Sequence, residues 1–501
     1  MTAGGPLKLG GLAKESPEGL ASLRWLQWIA RHSTRRRTGA RPRFAHDPRR
    51  TAVSHADDFQ ALNRSEHLYW ACEGYLGSIH QPYVLRFNGP LDPARVRQAL
   101  RELTSACPRL RGVMEPTAFS HALRILPDDA HIDALLDDAF QVQHDVDGTS
   151  RTALQAWHTR LLNDPMPMER GLPWRARLLP HPTQPVLAFS AHHIIGDGRS
   201  MVQFVGALVA RLNGHPIPPM PLQSESMAPA VRPKAWWQWP ASIGRFVRQT
   251  RADAREAAGT RVLGLARRAS PRFTTCTVHH HELAAPAEAI KALAKAHGTT
   301  VNTLLLGLVA QVFLRQAPDD PAARAAIRLS VDLRRHFPAG QAPEIGNHVH
   351  SFVVRGRRQD DLPAQMASLD GQVRDQLARY ERRDYALPLT VYEWLPLMGR
   401  RLYSRLIVQA KRRQRFAPVS CHLTNLGSAE FINPKDATLR VTEFWPATVS
   451  TAVLIGTLSL QGRQLLTVIH QNDEVDAADV RDFLARLDAE LLHTLQTRAA
   501  A

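Results

Sequence analysis

The stretch His192-His193-Ile194-Ile195-Gly196-Asp197-Gly198 lies between two segments of different periodicity. Before it, the run from 185 to 191 is apolar except for Ser190 (Val186, Leu187, Ala188, Phe189) and reads as a buried strand. After it, Met201, Phe204, Val205, Leu208, Val209 and Leu212 recur at three and four, the stripe of a helix packed on a core. Asn213-Gly214 ends that helix, and Pro216, Pro218, Pro219 and Pro221 open a connector. A loop that leaves a strand and enters a helix holds its side chains rigidly at the edge of a cleft. A neutral imidazole held there accepts a proton from a hydroxyl or amine near neutral pH. His193 is therefore the candidate general base, and His192 is given a supporting place. Asp197 is assigned mainly to orientation, with a second base as the alternative. Gly198 is expected to permit tight backbone geometry and close approach of a substrate. The plain alternative is two histidines satisfied at a strand end, with Asp-Gly as a turn.

Working outward, the pattern is α/β on both sides. Residues 66–75 read as a helix and 83–87 as a strand. Asp92 caps a helix through Leu103, with Val96 and Leu100 on one face. In the second half, 285–297 reads as a helix closed by Gly298. Thr299-Thr300 precedes a very apolar helix over 301–314, which must be buried. Residues 327–331, 350–354, 419–423 and 465–470 read as strands. The expected organisation is a basic N-terminal extension (1–55), an N-terminal lobe (56–215), a Pro-rich, basic amphipathic linker (216–270) and a C-terminal lobe (271–501).

At 501 residues the chain suits two domains or two similar halves. No uninterrupted apolar run is long enough for a transmembrane helix, and the N-terminus lacks a signal-peptide pattern. Four scattered cysteines without CxxC spacing support neither a disulfide framework nor a structural zinc site. A cytoplasmic protein is the expectation, with a peripheral place at the inner face of a membrane as the alternative. The net charge of +17 is unevenly placed: residues 1–50 carry 11 Lys or Arg against 3 acids, 231–270 carry 9 against 2, and 400–416 carry 7 against none. Such appendages suit coenzyme A phosphates, an acidic carrier protein or an anionic lipid surface. Nucleic acid is disfavoured, because no nucleic-acid-binding signature accompanies the charge.

His192–Gly198 resembles the HHxxxDG signature of the chloramphenicol acetyltransferase-like superfamily, which includes condensation domains. Other segments are similar to that family's in the same order. They are the run from Leu62 to Trp70 (LNRSEHLYW), Gly298–Leu306 (GTTVNTLLL), Val331-Asp332-Leu333-Arg334-Arg335, Ile345-Gly346-Asn347-His348-Val349, and Thr424-Asn425-Leu426-Gly427. The resemblance implies two similar α/β lobes forming a V with a central tunnel, and the second histidine midway along it. It implies transfer of an acyl group from an acyl-CoA or acyl-carrier phosphopantetheine thioester to a hydroxyl, or less readily an amine, of a small-molecule or lipid acceptor. No further cofactor and no metal are expected, and a monomer is the expectation. It also implies a salt bridge from Asp197 to an arginine of the second lobe, for which Arg334 is the candidate. The DFGWG element of BAHD enzymes is absent, and no adenylation or carrier segment is read. A stand-alone acyltransferase, closest to polyketide-associated or alcohol acetyltransferase-like members, is therefore expected. The alternative is a non-catalytic module that docks a carrier protein.

Weaker signals remain open. Thr424 and Asn425 fit either donors to a tetrahedral oxyanion or a crossover turn. Arg199 and Ser200, at a helix start, are placed where donors meet a phosphate. His279-His280-His281 reads as an ordinary entry strand, since adjacent residues there face opposite ways. Two amphipathic helices are expected at 20–31 and 394–416, suited to a membrane surface or to packing on the body.

Overall fold

The computed structural model describes residues 59–499, apart from 76 and 119. The expected extension and its helix at 20–31 lie outside the described residues. Two main sheets carry the fold. The first lobe contributes β1 (Phe59–Gln60), β2 (His80–Phe87), β3 (Gly112–Pro116), β4 (His121–Ile125), β5 (Phe140–Val142), β6 (Trp174–Leu179) and β7 (Val186–His192). Its helices are α1 (Arg64–Cys72), α2 (Pro93–Ala106), α3 (Ala130–Ala139), α4 (Arg151–Asn163) and α5 (Gly198–Leu212). The connecting region forms α6 (Ala228–Val231) and α7 (Trp239–Ala257). The rest of the chain supplies β8 (Arg261–Val262), β9 (Cys276–Glu282), β10 (Ala323–Asp332), β11 (Val349–Gly356), β12 (Cys421–Ser428), β13 (Val441–Pro446), β14 (Leu454–Leu460) and β15 (Arg463–Gln471). Its helices are α8 (Ala287–Ala296), α9 (Val301–Leu314), α10 (Leu362–Glu381), α11 (Ala386–Trp394), α12 (Arg400–Arg412) and α13 (Ala477–Ala499).

The central sheet of the first lobe has the order β13-β2-β7-β6-β5, so its outermost strand comes from the second half of the sequence. After β12 the chain leaves the second sheet, pairs β13 antiparallel with β2, and returns as β14 alongside β12. The second sheet runs β11-β10-β12-β14-β15-β9. Each lobe has its own apolar core, and the apolar α9 is almost wholly buried in the second. Strand β2 begins earlier than the sequence pattern gives, because Pro82, which lacks an N–H, sits inside it. The Pro82 carbonyl still accepts from the Ala447 N–H and from His158 Nε2, each at 3.0 Å. No single helix among the described residues is long and apolar enough to cross a membrane.

The lobes are joined along an edge. Strand β9 ends the second sheet, and its outward N–H groups need partners. Helix α4 of the first lobe provides them from side chains four residues apart. Gln155 Oε1 accepts from the His280 N–H at 2.9 Å, Thr159 Oγ1 from Val278 at 3.1 Å, and Asn163 Oδ1 from Cys276 at 2.9 Å. The alternation of the strand and the helical repeat thus meet in register. Beside them the His280 ring stacks on Trp445 of β13, with centroids 4.5 Å apart.

Candidate active site

Asp197 is the N-cap of α5, and its Oδ1 accepts from the Ser200 N–H at 3.0 Å. Its Oδ2 accepts from Arg334 Nη1 at 2.6 Å and from the His348 N–H at 3.0 Å. Arg334 follows β10 in a short 3-10 helix, so this pair crosses between the lobes. The guanidinium also donates to the Pro343 carbonyl at 2.6 Å and the Gly346 carbonyl at 2.9 Å. Both partners are buried. Burial alone would raise the Asp197 pKa, but the Arg334 charge and the N–H donors hold it below the ordinary carboxylate value. Arg199 makes a second, exposed link across the lobes to Asp332 at 3.0 Å.

His193 lies one residue beyond the end of β7, where its N–H donates to the Ile79 carbonyl at 2.8 Å. Its ring stacks on Tyr69 of α1, with centroids 4.4 Å apart and planes inclined by 24°. The Asn347 amide nitrogen lies 2.8 Å from His193 Nδ1 and 2.9 Å from the His193 carbonyl oxygen. With the amide NH2 donating to both, the neutral ring carries its proton on Nε2. With the amide turned over, Oδ1 could accept from Nδ1–H, but it would also face the His193 carbonyl oxygen at 2.9 Å, acceptor against acceptor. Asn347 and the ring tautomer are therefore linked. His193 is 9% exposed, and burial lowers its pKa to about 4, so the imidazole is neutral at physiological pH.

His192 points elsewhere: its Nε2 pairs with Glu73 at 3.0 Å and its Nδ1 accepts from the Ile194 N–H. The intervening Ile194 and Ile195 are fixed through their carbonyls, which accept from Arg109 at 2.7 and 3.0 Å. Arg109 in turn pairs with Glu66 at 2.7 Å and with Glu225. Glu66 belongs to a capping box with Asn63, the N-cap of α1, and accepts from the Asn347 N–H at 3.2 Å. One buried network thus ties α1, the His-His loop, the connector and the 345–349 loop together.

The glycines divide differently from the sequence reading. A Cβ on Gly196 would overlap Ser200 Cβ, whereas one on Gly198 would make ordinary contacts at 3.4 Å with Leu426 and the Tyr83 hydroxyl. The close approach that demands a glycine is thus between Gly196 and α5. Ser200 is buried and its hydroxyl is engaged by Asp197 and Gly346, so it does not face outward toward a phosphate. Asn425 Oδ1 accepts from the Gly427 N–H at 2.7 Å in an Asx turn, with Gly427 at φ +74°. Thr424 is half-buried on β12 beside it. In the 279–281 run, His279 meets His470 at 3.0 Å and His281 meets Asp488 at 2.9 Å. No cluster suited to a metal ion occurs among the described residues.

Residues 76–226, which contain this loop and its two flanking elements, match the family model described as the condensation domain. The fold is the one shared by solved condensation domains and a trichothecene O-acetyltransferase. Among solved structures, the first condensation domain of the CDA synthetase aligns with a TM-score of 0.64 at 15% identity, covering 87% of this chain and 96% of that one. TRI3 trichothecene 15-O-acetyltransferase from Fusarium sporotrichioides aligns with a TM-score of 0.62 at 13% identity, over 87% and 95%. The starter condensation domain of rhizomide synthetase RzmA, solved with C8-CoA and Leu-SNAC, gives a TM-score of 0.57 at 15% identity, over 87% and 96%. No curated protein matches the sequence. These neighbours of similar fold thus include both synthetase condensation domains and an O-acetyltransferase.

Proposed function

We propose that the protein is an acyltransferase that moves an acyl group from an acyl-CoA or acyl-carrier thioester to an acceptor hydroxyl, with His193 as general base. The observation that carries this reading is the setting of His193. It is a neutral imidazole, stacked on Tyr69 and held at Nδ1 by Asn347, beside a buried ion pair that crosses between the lobes. Nε2 takes the acceptor proton as the acceptor oxygen attacks the thioester carbonyl. The tetrahedral intermediate then collapses, the C–S bond breaks, and the imidazolium returns the proton to the departing thiolate. No covalent enzyme intermediate and no resident cofactor are needed; the thioester is a co-substrate. This chemistry requires the tautomer with Nδ1–H and a bare Nε2, in which the ring N–H donates to a backbone carbonyl, that of His193 or Gly196, and the Asn347 amide no longer donates to Nδ1. Asp197 and Arg334 act on architecture, fixing the loop against the second lobe.

The test is turnover with a panel of acyl-CoA and acyl-carrier donors and candidate alcohols, followed by free-thiol release. His193→Ala is expected to abolish acceptor-dependent release while donor binding persists. Near-normal release by that variant refutes the reading. Carrier binding by the unaltered protein with no thiol release under any acceptor identifies a docking module instead.

A further inference from the structure

Among the described residues, the helices around 386–412 present an exposed apolar and cationic face. Trp394 is 65% exposed and Leu397 62%, and the chain continues into α12, where Arg401, Leu402 and Arg405 are also exposed. Helix α11 packs on α7, and the Arg232–Glu393 ion pair at 2.6 Å ties the start of the neighbouring segment to it. That segment carries Trp236 and Trp237, exposed by 79% and 66%. Beyond α12, Arg412, Arg413, Arg415 and Phe416 are exposed as well. Between 394 and 416 there is no acidic residue. Three indoles standing in solvent beside a run of cations are costly for an isolated surface and well suited to a lipid headgroup layer, where the rings sit at the interface and the cations meet anionic lipids.

We propose that this face, built from Trp236, Trp237, the 394–402 turn and α12, docks the protein on an anionic membrane surface. An acidic carrier protein would use the arginines but leave the indoles without a role. The face lies one helix away from His193. Helix α12 packs on α1 through Ser404, which donates to the Ala71 carbonyl at 2.7 Å, and through Arg400, 4.1 Å over the Trp70 ring, while Tyr69 of α1 stacks on His193. The docking proposal does not depend on the acyl-transfer reading.

The experiment is sedimentation of the full chain with vesicles of phosphatidylcholine alone or mixed with phosphatidylglycerol, at low and high salt. Binding to the anionic vesicles only, weakened by salt, is expected. Arg401→Gln with Arg405→Gln should weaken it by about fivefold per charge removed. Trp236→Ser, Trp237→Ser and Trp394→Ser together should reduce it by at least tenfold with the charge unchanged. These side chains are exposed, so the thermal midpoints should match the parent; if the triple variant is misfolded, Trp394→Ser alone gives the reading. Binding that persists in every folded variant overturns the proposal. So does an absence of vesicle binding combined with arginine-dependent capture of an acidic acyl carrier protein.

Discussion

Replacing Arg334 by methionine tests the junction of the two lobes most directly. The substitution keeps much of the side-chain volume and removes one charge from a pair that is 5% exposed at the arginine and fully buried at the aspartate. Breaking a buried ion pair from one side costs about 3–5 kcal/mol, because the remaining charge is left without its partner. The geometry points to the lower end, about 3 kcal/mol. Asp197 would keep three donors, the Ser200 N–H and hydroxyl and the His348 N–H. Asp197→Leu removes the other charge and also the helix cap, worth about 1 kcal/mol more, so about 4 kcal/mol is expected. The double variant has neither buried charge and should be far more stable than the sum of the two losses, with a coupling of about 2–3 kcal/mol. The sign with pH is also fixed. A carboxyl held below its ordinary value contributes stability above the unfolded pKa and loses it as pH falls through the folded one. In Arg334→Met the unpaired carboxyl shifts upward and takes a proton more readily, so the variant's penalty should shrink towards acid. Urea unfolding followed by tryptophan fluorescence, with an unchanged m-value as the check on a single transition, measures all four proteins. A coupling below about 1 kcal/mol, or a penalty that grows towards acid, refutes the reasoning.

Other consequences follow from the same site. Asn347→Asp offers Nδ1 an acceptor only, so it should retain thiol release and move the acidic limb of the rate profile upward; Asn347→Leu should lose at least tenfold in kcat with little change in donor binding. Loss of activity in Asn347→Asp would mean that the working tautomer carries its proton on Nε2. In the parent protein, burial keeps the imidazole neutral down to about 4, so kcat/KM should stay level from neutral pH to near that value. A limb centred near the ordinary histidine value contradicts the buried setting. The same depression contributes stability above the unfolded histidine pKa, lost as pH falls through about 4. Gly196→Ala should be destabilised by about 1–3 kcal/mol and impaired in turnover, because its Cβ meets Ser200. Gly198→Ala should fold with near-parental stability, which denaturation of the two variants side by side will show.

The residues legible in the sequence are those whose role is local. The apolar run before His192 and the stripe after Gly198 report a strand and a helix through periodicity alone, and β7 and α5 occupy those positions. Arg334 is legible through the family resemblance, not through any spacing of its own, and it lies 2.6 Å from Asp197. What stayed hidden is non-local. Asn347 was visible only as part of a motif; nothing in its neighbours says that it reaches a histidine 154 positions away. Arg109, Glu66 and Glu225 look like surface charges in a sequence, since complementary charges carry no register. Glu225 even falls in a Pro-rich connector, yet it is buried against Arg109. Strand β13 joins the first lobe's sheet from the second half of the chain, and alternation does not tell which sheet a strand joins. Asn425 shows the reverse case: its Asx turn is local chemistry, and Gly427 two residues on is the signal for it.

The exchange of β13 between halves bears on how the chain reaches this state. Cut in the connector, the first fragment would expose β2 as a naked edge, while the second would carry β13 with no sheet to join and β9 without the side chains of α4. Each fragment holds the other's missing border. The halves are therefore expected to mature as an obligate pair, aggregating when made alone and complementing when made together. A break in the connector would be tolerated far better than the loss of either piece.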